Sequence, residues 1–344
     1  MVSSNQLVIA PATRRDLELF ASMSGRSEAW VSYADNRRQR SDIWIWVARI
    51  TDQLVGLVDL RVSWVGRESG GGSWIGRVRR AILAHNLPRP DQILQRRQFG
   101  SIHDLVIVDY TRYGDIGSAL LNQCIEQMQQ SAIETIVIDL NATDEAAQTL
   151  CTSLDFSIDR CLLTREVPEE AIPIDSAIRE AELSDLPKLS TMMREELTSQ
   201  LRQDRRLQLK EGIDWEKYVT KKLKAPNIII LVFEENGQLA GYTELWLETP
   251  GQGSIGEALR NLAGRRQGQA DLTGAHVFIM DVFVEKAFRK QGVAVRLIWQ
   301  AGRRCQQLGI KEVRAAVWAS NEWWLALSRR TGWQALRAEL SRSV

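Results

Sequence analysis

An internal repeat constrains the fold of this chain more than any other feature. Residues 104–117 read DLVIVDYTRYGDIG and residues 281–294 read DVFVEKAFRKQGVA, at an offset of 281 − 104 = 177 positions. The same offset aligns further pairs downstream: Asp144 with Asn321, Leu150 with Leu327, and Phe156 with Trp333. A repeat at a fixed offset predicts that the chain folds as two copies of one unit.

Each copy shows the same order of predicted elements. QLVGLVDLRV at 53–62 and QLAGYTELWL at 238–247 alternate like strands, and the apolar segments before them predict the other arm of a hairpin. Each copy is predicted to run strand, one or two helices, antiparallel hairpin, then strand, loop, helix, strand, helix, strand. Two prolines and clustered acids in VPEEAIPID (167–175) indicate a linker, which predicts domains at 1–168 and 174–344.

Composition excludes several classes of protein. A length of 344 residues fits two domains, and a net charge of +1 argues against binding nucleic acid or an anionic membrane through bulk charge. The N-terminus lacks the apolar core of a signal peptide, and no apolar run reaches about 18 residues, so no membrane segment is predicted. The four cysteines and three histidines lack metal-ligand spacing, so we expect no metal site and a reducing, cytoplasmic location.

An insertion follows the hairpin in both copies, at about 64–101 and 249–275. The first combines GRESGGGSWIG with an arginine-rich segment, and the second also contains arginines. Such loops can clamp an acidic partner or nucleic acid, but ordinary solvated loops have the same composition. We favour the solvated loop and predict no nucleic-acid partner, because aromatic residues are not interleaved as in RNA-binding sheets.

The second copy contains a pattern typical of an anion site. HVFIMDVFV (276–284) predicts a buried strand, and the loop 289–294 then leads into a helix with apolar residues at helical spacing. A strand, a tight glycine loop and a helix N-terminus together form a cradle for phosphate. Small residues at Gly292 and Ala294 let a pyrophosphate approach the backbone, and Arg289 and Lys290 add positive charge.

These residues resemble the coenzyme loop of the GNAT N-acetyltransferase superfamily, whose pattern is R/Q-x-x-G-x-G/A after an apolar strand. VRAAVWASNEWWLALSRRTGWQAL (313–336) resembles the next strand and helix of the family, usually N-x-x-A-x-x-L-Y-x-x-x-G-F. The resemblance covers both halves of the chain. It implies an α/β fold of two tandem GNAT domains, each a mixed, mostly antiparallel sheet with flanking helices.

The resemblance also implies the ligand and the residues that hold it. Acetyl-CoA would serve as co-substrate in the C-terminal copy. The residues implied in binding it are Val282, Phe283, Val284, Arg289, Lys290, Gln291, Gly292, Val293, Ala294 and Asn321.

The first copy departs from the pattern at its loop. Asp115 stands where the second copy has Gly292. A carboxylate about 4 Å from a phosphate costs about 4 kcal/mol at an effective dielectric of 20, which weakens binding about a thousandfold. This copy is therefore interpreted as a structural or partner-binding half. A frame shifted by one residue, with Gly114 and Gly117 as the cradle, is the alternative.

The family implies direct attack of an amine on the thioester, without an acyl-enzyme. The backbone N–H near Val284 would hold the developing oxyanion, and a carboxylate would remove the amine proton. Glu244 is the first choice for this base and Asp281 the second, with Glu285 also available. Ser328 occupies the position of the usual tyrosine acid. Because a serine hydroxyl is a far weaker acid than a phenol, Ser328 is expected to matter little, and water or Tyr242 are the alternatives.

The sequence thus predicts an acetyl-CoA-dependent N-acetyltransferase that acts in its C-terminal domain on a primary amine of a small molecule or peptide. The alternative is a non-catalytic protein that senses acyl-CoA or scaffolds a partner. The loop 289–294 and Asn321 favour the enzyme. Ser328 and the altered first copy favour the alternative.

Overall fold

The computed structural model describes residues 6–64, 98–202, 209–248 and 275–344. Most of both insertions, which we interpreted as solvated loops, lies outside these residues, and so does their arginine-rich part. Among the described residues, no helix is long and apolar enough to cross a membrane.

The described elements follow the predicted order in both copies. The strands are β1 (Leu7–Pro11), β2 (Ile43–Ile50), β3 (Gln53–Trp64), β4 (Gln98–Ile107), β5 (Thr135–Asn141), β6 (Ser157–Glu166), β7 (Ile178–Glu180), β8 (Ile228–Glu235), β9 (Gln238–Glu248), β10 (His276–Val284), β11 (Glu312–Trp318) and β12 (Gln334–Ser343). The helices are α1 (Arg14–Ser24), α2 (Glu28–Arg38), α3 (Tyr113–Gln130), α4 (Glu145–Ser153), α5 (Leu186–Leu201), α6 (Trp215–Leu223), α7 (Val293–Gln307) and α8 (Glu322–Arg330).

The chain forms two compact units. The described part of the N-terminal unit comprises residues 6–64, 98–159 and 337–344, and that of the C-terminal unit comprises most of 160–336. Strands follow the order β1-β2-β3-β4-β5-β12 in the first and β7-β8-β9-β10-β11-β6 in the second. In each unit one neighbouring pair is parallel, β4 with β5 or β10 with β11, and the other pairs are antiparallel. The predicted mixed, mostly antiparallel sheet with flanking helices is therefore confirmed.

Each unit completes its sheet with a strand from the other half of the sequence. β12, from the end of the chain, pairs with β5 from Arg337 opposite Asn141 to Ser343 opposite Thr135. β6, from the end of the first copy, pairs with β11 from Arg160 opposite Trp318 to Glu166 opposite Glu312. The predicted domain boundaries at 168 and 174 stay a prediction. The compact units do not follow them, because β6 and β12 each belong to the unit on the other side of these boundaries.

Helices cover both faces of each sheet with apolar side chains at helical spacing. In the C-terminal unit, α7 contributes Leu297, Ala301 and Cys305 to the core on one face. Helices α5 and α6 contribute Leu189 and Val219 to the core on the other face. The N-terminal unit repeats the arrangement, with α3 on one face and α1 and α2 on the other.

Candidate acyl-transfer site

The two parallel strands of the C-terminal unit separate halfway along their length. β10 and β11 pair from His276 opposite Glu312 to Ile279 opposite Ala315, although β10 continues to Val284 and β11 to Trp318. A break in the β9–β10 register between Ile279 and Asp281 lies at the point of separation. A β-bulge of this kind bends a strand and ends its pairing, so a cleft opens between the carboxyl ends of the two strands.

Backbone polar groups of Val284 point into this cleft. The N–H of Glu285 donates to the carbonyl of Ala240 at 2.9 Å, so residue 285 forms a hydrogen-bonded pair with residue 240. Because such pairs alternate along an antiparallel ladder, the N–H and C=O of Val284 face away from β9. In agreement, the Val284 carbonyl accepts from the Nε of Arg289 at 2.9 Å. The Val284 N–H is thus free of the β9 ladder.

The loop after β10 has the backbone of an anion cradle. Lys290 and Gly292 have φ angles of 64° and 81°, and Gly292 caps α7 without any side-chain hydrogen bond to the helix start. The first helical hydrogen bond runs from Arg296 N–H to the Gly292 carbonyl at 3.0 Å. The amides of residues 293–295 therefore precede the helical ladder and are available to an anion, where the helix dipole also favours negative charge.

The equivalent loop of the N-terminal unit has become helix. α3 begins at Tyr113, the counterpart of Lys290, so Asp115 lies in the first turn of the helix. The glycines of the alternative frame do not form a cradle here. Neither has a positive φ, and a Cβ on Gly117 would lie 2.3 Å from a methyl carbon of Leu150, so Gly117 is required for the packing of α3 on α4.

Two carboxylates lie beside the break in β10. Asp281 accepts a hydrogen bond from Nε2 of Gln200 at 2.6 Å, and the same nitrogen donates to Glu196 at 3.1 Å. Burial, and then the Glu244 carboxylate, raise the pKa of Asp281 to about 6. Burial, and then Asp281, raise the pKa of Glu196 to about 7. Both groups can therefore exchange protons near neutral pH, as a general base requires.

Glu244, the first choice for a base in the sequence, lies in a buried ion pair. Its carboxylate oxygens are 2.8 and 2.6 Å from Nζ of Lys222, and it also accepts from the indole N–H of Trp246. Glu244 has no exposed surface. Burial lowers the pKa of Lys222, but Glu244 and then Tyr218 more than offset this, so the pKa is raised and the ammonium persists.

The remaining predicted residues occupy varied positions. Asn321 caps α8 by accepting from the N–H of Trp324 at 3.1 Å, and Ser328 is buried and donates to the carbonyl of Leu325 at 2.9 Å. Glu285 pairs with Lys188. Of the residues implied in coenzyme binding, Phe283 and Val293 are buried, Val282, Val284 and Ala294 are partly buried, and Arg289, Lys290, Gln291 and Gly292 are exposed.

Glu196, Gln200 and Lys222 were not predicted from the sequence. They lie on α5 and α6, and no motif marks them. The sequence does place Glu196 and Gln200, four residues apart, on the face of α5 that also contributes core residues. Polar residues on such a face indicate a buried polar site.

The site is found in a segment that matches a known family. Residues 190–333 match the model of the acetyltransferase (GNAT) family. The C-terminal half of this chain contains a GNAT domain. Its family and fold support acyl transfer as the general type of reaction. No curated protein matches the sequence.

Several solved structures are similar to this chain. A GCN5-related N-acetyltransferase from Sphaerobacter thermophilus is 13% identical, with a TM-score of 0.49 over 98% of this chain and 95% of that one. A GCN5-related glucosamine N-acetyltransferase region of a fungal multi-domain GH3 β-N-acetylglucosaminidase is 13% identical, with a TM-score of 0.50 over 99% of this chain and 38% of that one. A tandem GNAT protein from the clavulanic acid biosynthesis pathway is 13% identical, with a TM-score of 0.43 over 98% of each chain. At this identity the likeness to the fungal region, whose TM-score is 0.50, concerns the fold alone.

Proposed function

We propose that the protein transfers an acetyl group from acetyl-CoA to a primary amine, and that the GNAT domain of the C-terminal unit carries out the reaction. The separation of β10 from β11, directly beside the free amides at the start of α7, is the observation that carries this proposal. In this proposal the cleft between β10 and β11 holds the acyl group, and the start of α7 holds a phosphate of the coenzyme.

The residues of the loop fit the coenzyme. The amides of residues 293–295 would accept the pyrophosphate, and Arg289 and Lys290 would add charge at the exposed rim. Gly292 is needed for its left-handed backbone, which other residues adopt at a cost of about 1 kcal/mol or more. The coenzyme would supply an acetyl group activated as a thioester. The Val284 N–H would donate to the oxygen that becomes negative during attack.

Asp281 is the base that this geometry favours. An amine is largely protonated at neutral pH and must lose a proton before it attacks. Asp281 lies at the bend of β10 and retains some exposure to solvent, whereas Glu244 is wholly buried and neutralised by Lys222. Because burial and the Asp281 carboxylate raise the pKa of Glu196 to about 7, Glu196 holds a proton over part of the neutral range. We therefore place Asp281 first and Glu244 second, the reverse of the order expected from the sequence.

A screen for acetyl transfer tests this proposal. Mass spectrometry of a mixed library of amines and peptides, incubated with acetyl-CoA and the full-length protein, should reveal at least one product heavier by one acetyl group. On that acceptor, Asp281→Asn should lower kcat by about 10²–10⁴-fold, because a general base typically contributes this much. Ser328→Ala should lower it by less than about tenfold and serves as the control.

The outcomes separate the roles. If Glu244→Gln abolishes transfer in a folded protein while Asp281→Asn stays near wild type, Asp281 is not the base. The replacement of the family tyrosine by the buried Ser328 favours the second candidate function, a non-catalytic acyl-CoA sensor. Binding of acetyl-CoA without transfer to any member of the library would support the sensor.

A further inference from the structure

A polar cluster lies between the sheet and helices α1 and α2 of the N-terminal unit. Leu57 of β3 belongs to the core beneath these helices, whereas Val58 and Leu60 belong to the core beneath α3. Because side chains alternate along a strand, Arg61 and Ser63 share the face of Leu57. They lie opposite α2, which carries Arg37, and beside the β4 residue His103.

Within the part of the chain that the structure describes, four side chains of this cluster keep a buried polar atom without a hydrogen-bond partner. These atoms are Nε of Arg37, Nη1 of Arg61, Oγ of Ser63 and Nε2 of His103. Arg61 and Ser63 are only 6% and 4% exposed. A buried polar atom without a partner destabilises the folded protein, so a ligand that bonds to such atoms would relieve this cost.

The Arg37 and Arg61 guanidinium groups repel each other in this cluster. Nε of Arg61 donates to the Asp59 carboxylate at 3.0 Å and Nη2 donates to it as well, which leaves Nη1 without a partner among the described residues. The nearby Asp104 is bound by Arg26 at 3.1 Å. Burial, and then the charge of Arg61, lower the pKa of Arg37. Burial, and then Arg61 and Arg37, lower the pKa of His103 to about 3. Desolvated cations that repel one another are stabilised by an anion.

At the equivalent face of the C-terminal unit, uncharged side chains occupy the positions of Arg61 and His103. Asp59 pairs with Asp104 across the hairpin as Glu244 pairs with Asp281, so Arg61 corresponds to Trp246 and His103 to Met280. The guanidinium of Arg61 therefore stands in place of the indole of Trp246, and the imidazole of His103 stands in place of the thioether of Met280. Asp59, Arg40 and Asp42 are the other charged groups that act on Arg37.

We propose that the N-terminal unit binds a small anion through its carboxylate or phosphate oxygens at Arg37, Arg61, Ser63 and His103. Arg61 and Ser63 form the buried floor of this site. Arg37 is partly exposed and lies at its entrance. Guanidinium groups suit both kinds of oxygen, because their planar N–H donors match carboxylate and phosphate geometry.

Calorimetric titration of the full-length protein with inorganic phosphate, and separately with malonate, tests this site. Ionic strength is held constant with chloride. At least one of the two should bind saturably with one equivalent and raise the Tm, and the stronger of the two identifies the class of anion. The absence of both effects at millimolar concentrations would overturn the proposal.

Matched variants locate the binding. Arg37→Gln should weaken the Kd at least about tenfold, because one charge-assisted hydrogen bond contributes on this scale. Arg14→Gln removes the same charge from an exposed pair with Glu18 and should change the Kd by less than about twofold. Arg61→Lys keeps the charge but loses the free Nη1, and it should also weaken binding. Equal affinity in wild type and a folded Arg37→Gln protein would place the anion elsewhere and overturn the proposal.

Discussion

At the scale of single residues, burial and a neighbouring carboxylate raise the pKa of both Asp281 and Glu196. The motif at 289–294 was readable from the sequence because glycine, arginine and a helix start lie next to one another. Asp281 was also readable, as an acid within an apolar strand. Glu196 and Gln200 were not, since Gln200 is 81 residues from Asp281 in the chain and only the packing of α5 brings it near.

Replacing Glu196 tests the titration directly. Its pKa is raised in the folded protein, so the stability that this group contributes is fully present below pH 4 and is lost as pH rises toward about 7. Glu196→Gln should therefore raise the free energy of unfolding at pH 8 by about 1–3 kcal/mol and make no comparable gain at pH 4. Urea denaturation from pH 4 to 8 measures this, with the exposed neighbour Glu195→Gln as control. A constant difference between variant and wild type over this range would contradict the assignment.

At the scale of elements, the start of one helix distinguishes the two copies. Asp115 was readable as a residue that repels phosphate, but the loss of the whole loop was not. A carboxylate in the first turn stabilises a helix start, so Asp115 also favours the additional turn that replaces the loop. In the second copy Gly292 holds a left-handed cap, and α7 begins at Val293, three residues later than α3 in the aligned frame.

Restoring the glycine in the first copy should therefore not restore a site. In Asp115→Gly the other residues of the turn still favour helix, and Gly117 is still occupied with packing on α4. Titration with acetyl-CoA should give one equivalent, as in wild type. Two equivalents in this variant would show that the carboxylate alone closes the first site.

At the scale of the whole molecule, each compact unit depends on a strand from the other half of the sequence. The tandem fold was predictable from the repeat, because equivalent patterns recur at a fixed offset. The exchange of β6 and β12 was not, since equivalent strands in the two copies carry interchangeable patterns and only tertiary contacts select the partner. It leaves β5 and β11 without these neighbours whenever the halves are separated.

Separate fragments 1–168 and 174–344 should accordingly fail to fold as independent units. Each lacks the last strand of one sheet and exposes the long edge of β5 or β11, which favours aggregation. Size-exclusion chromatography and thermal denaturation of each fragment, with the two co-expressed as the control, measure this. Two soluble, monomeric fragments that each unfold cooperatively near the Tm of the intact protein would contradict it.

The most direct test of the account is calorimetric titration of full-length Gly292→Asp with acetyl-CoA. Wild type should bind one equivalent, and the variant should lose about a thousandfold in affinity, because the new carboxylate meets the phosphates at the start of α7. Gly309→Asp imposes the same left-handed backbone demand at the other end of α7 and should bind like wild type, as should Asp115→Ala. Unchanged affinity in a folded Gly292→Asp protein would show that the coenzyme does not bind at this loop.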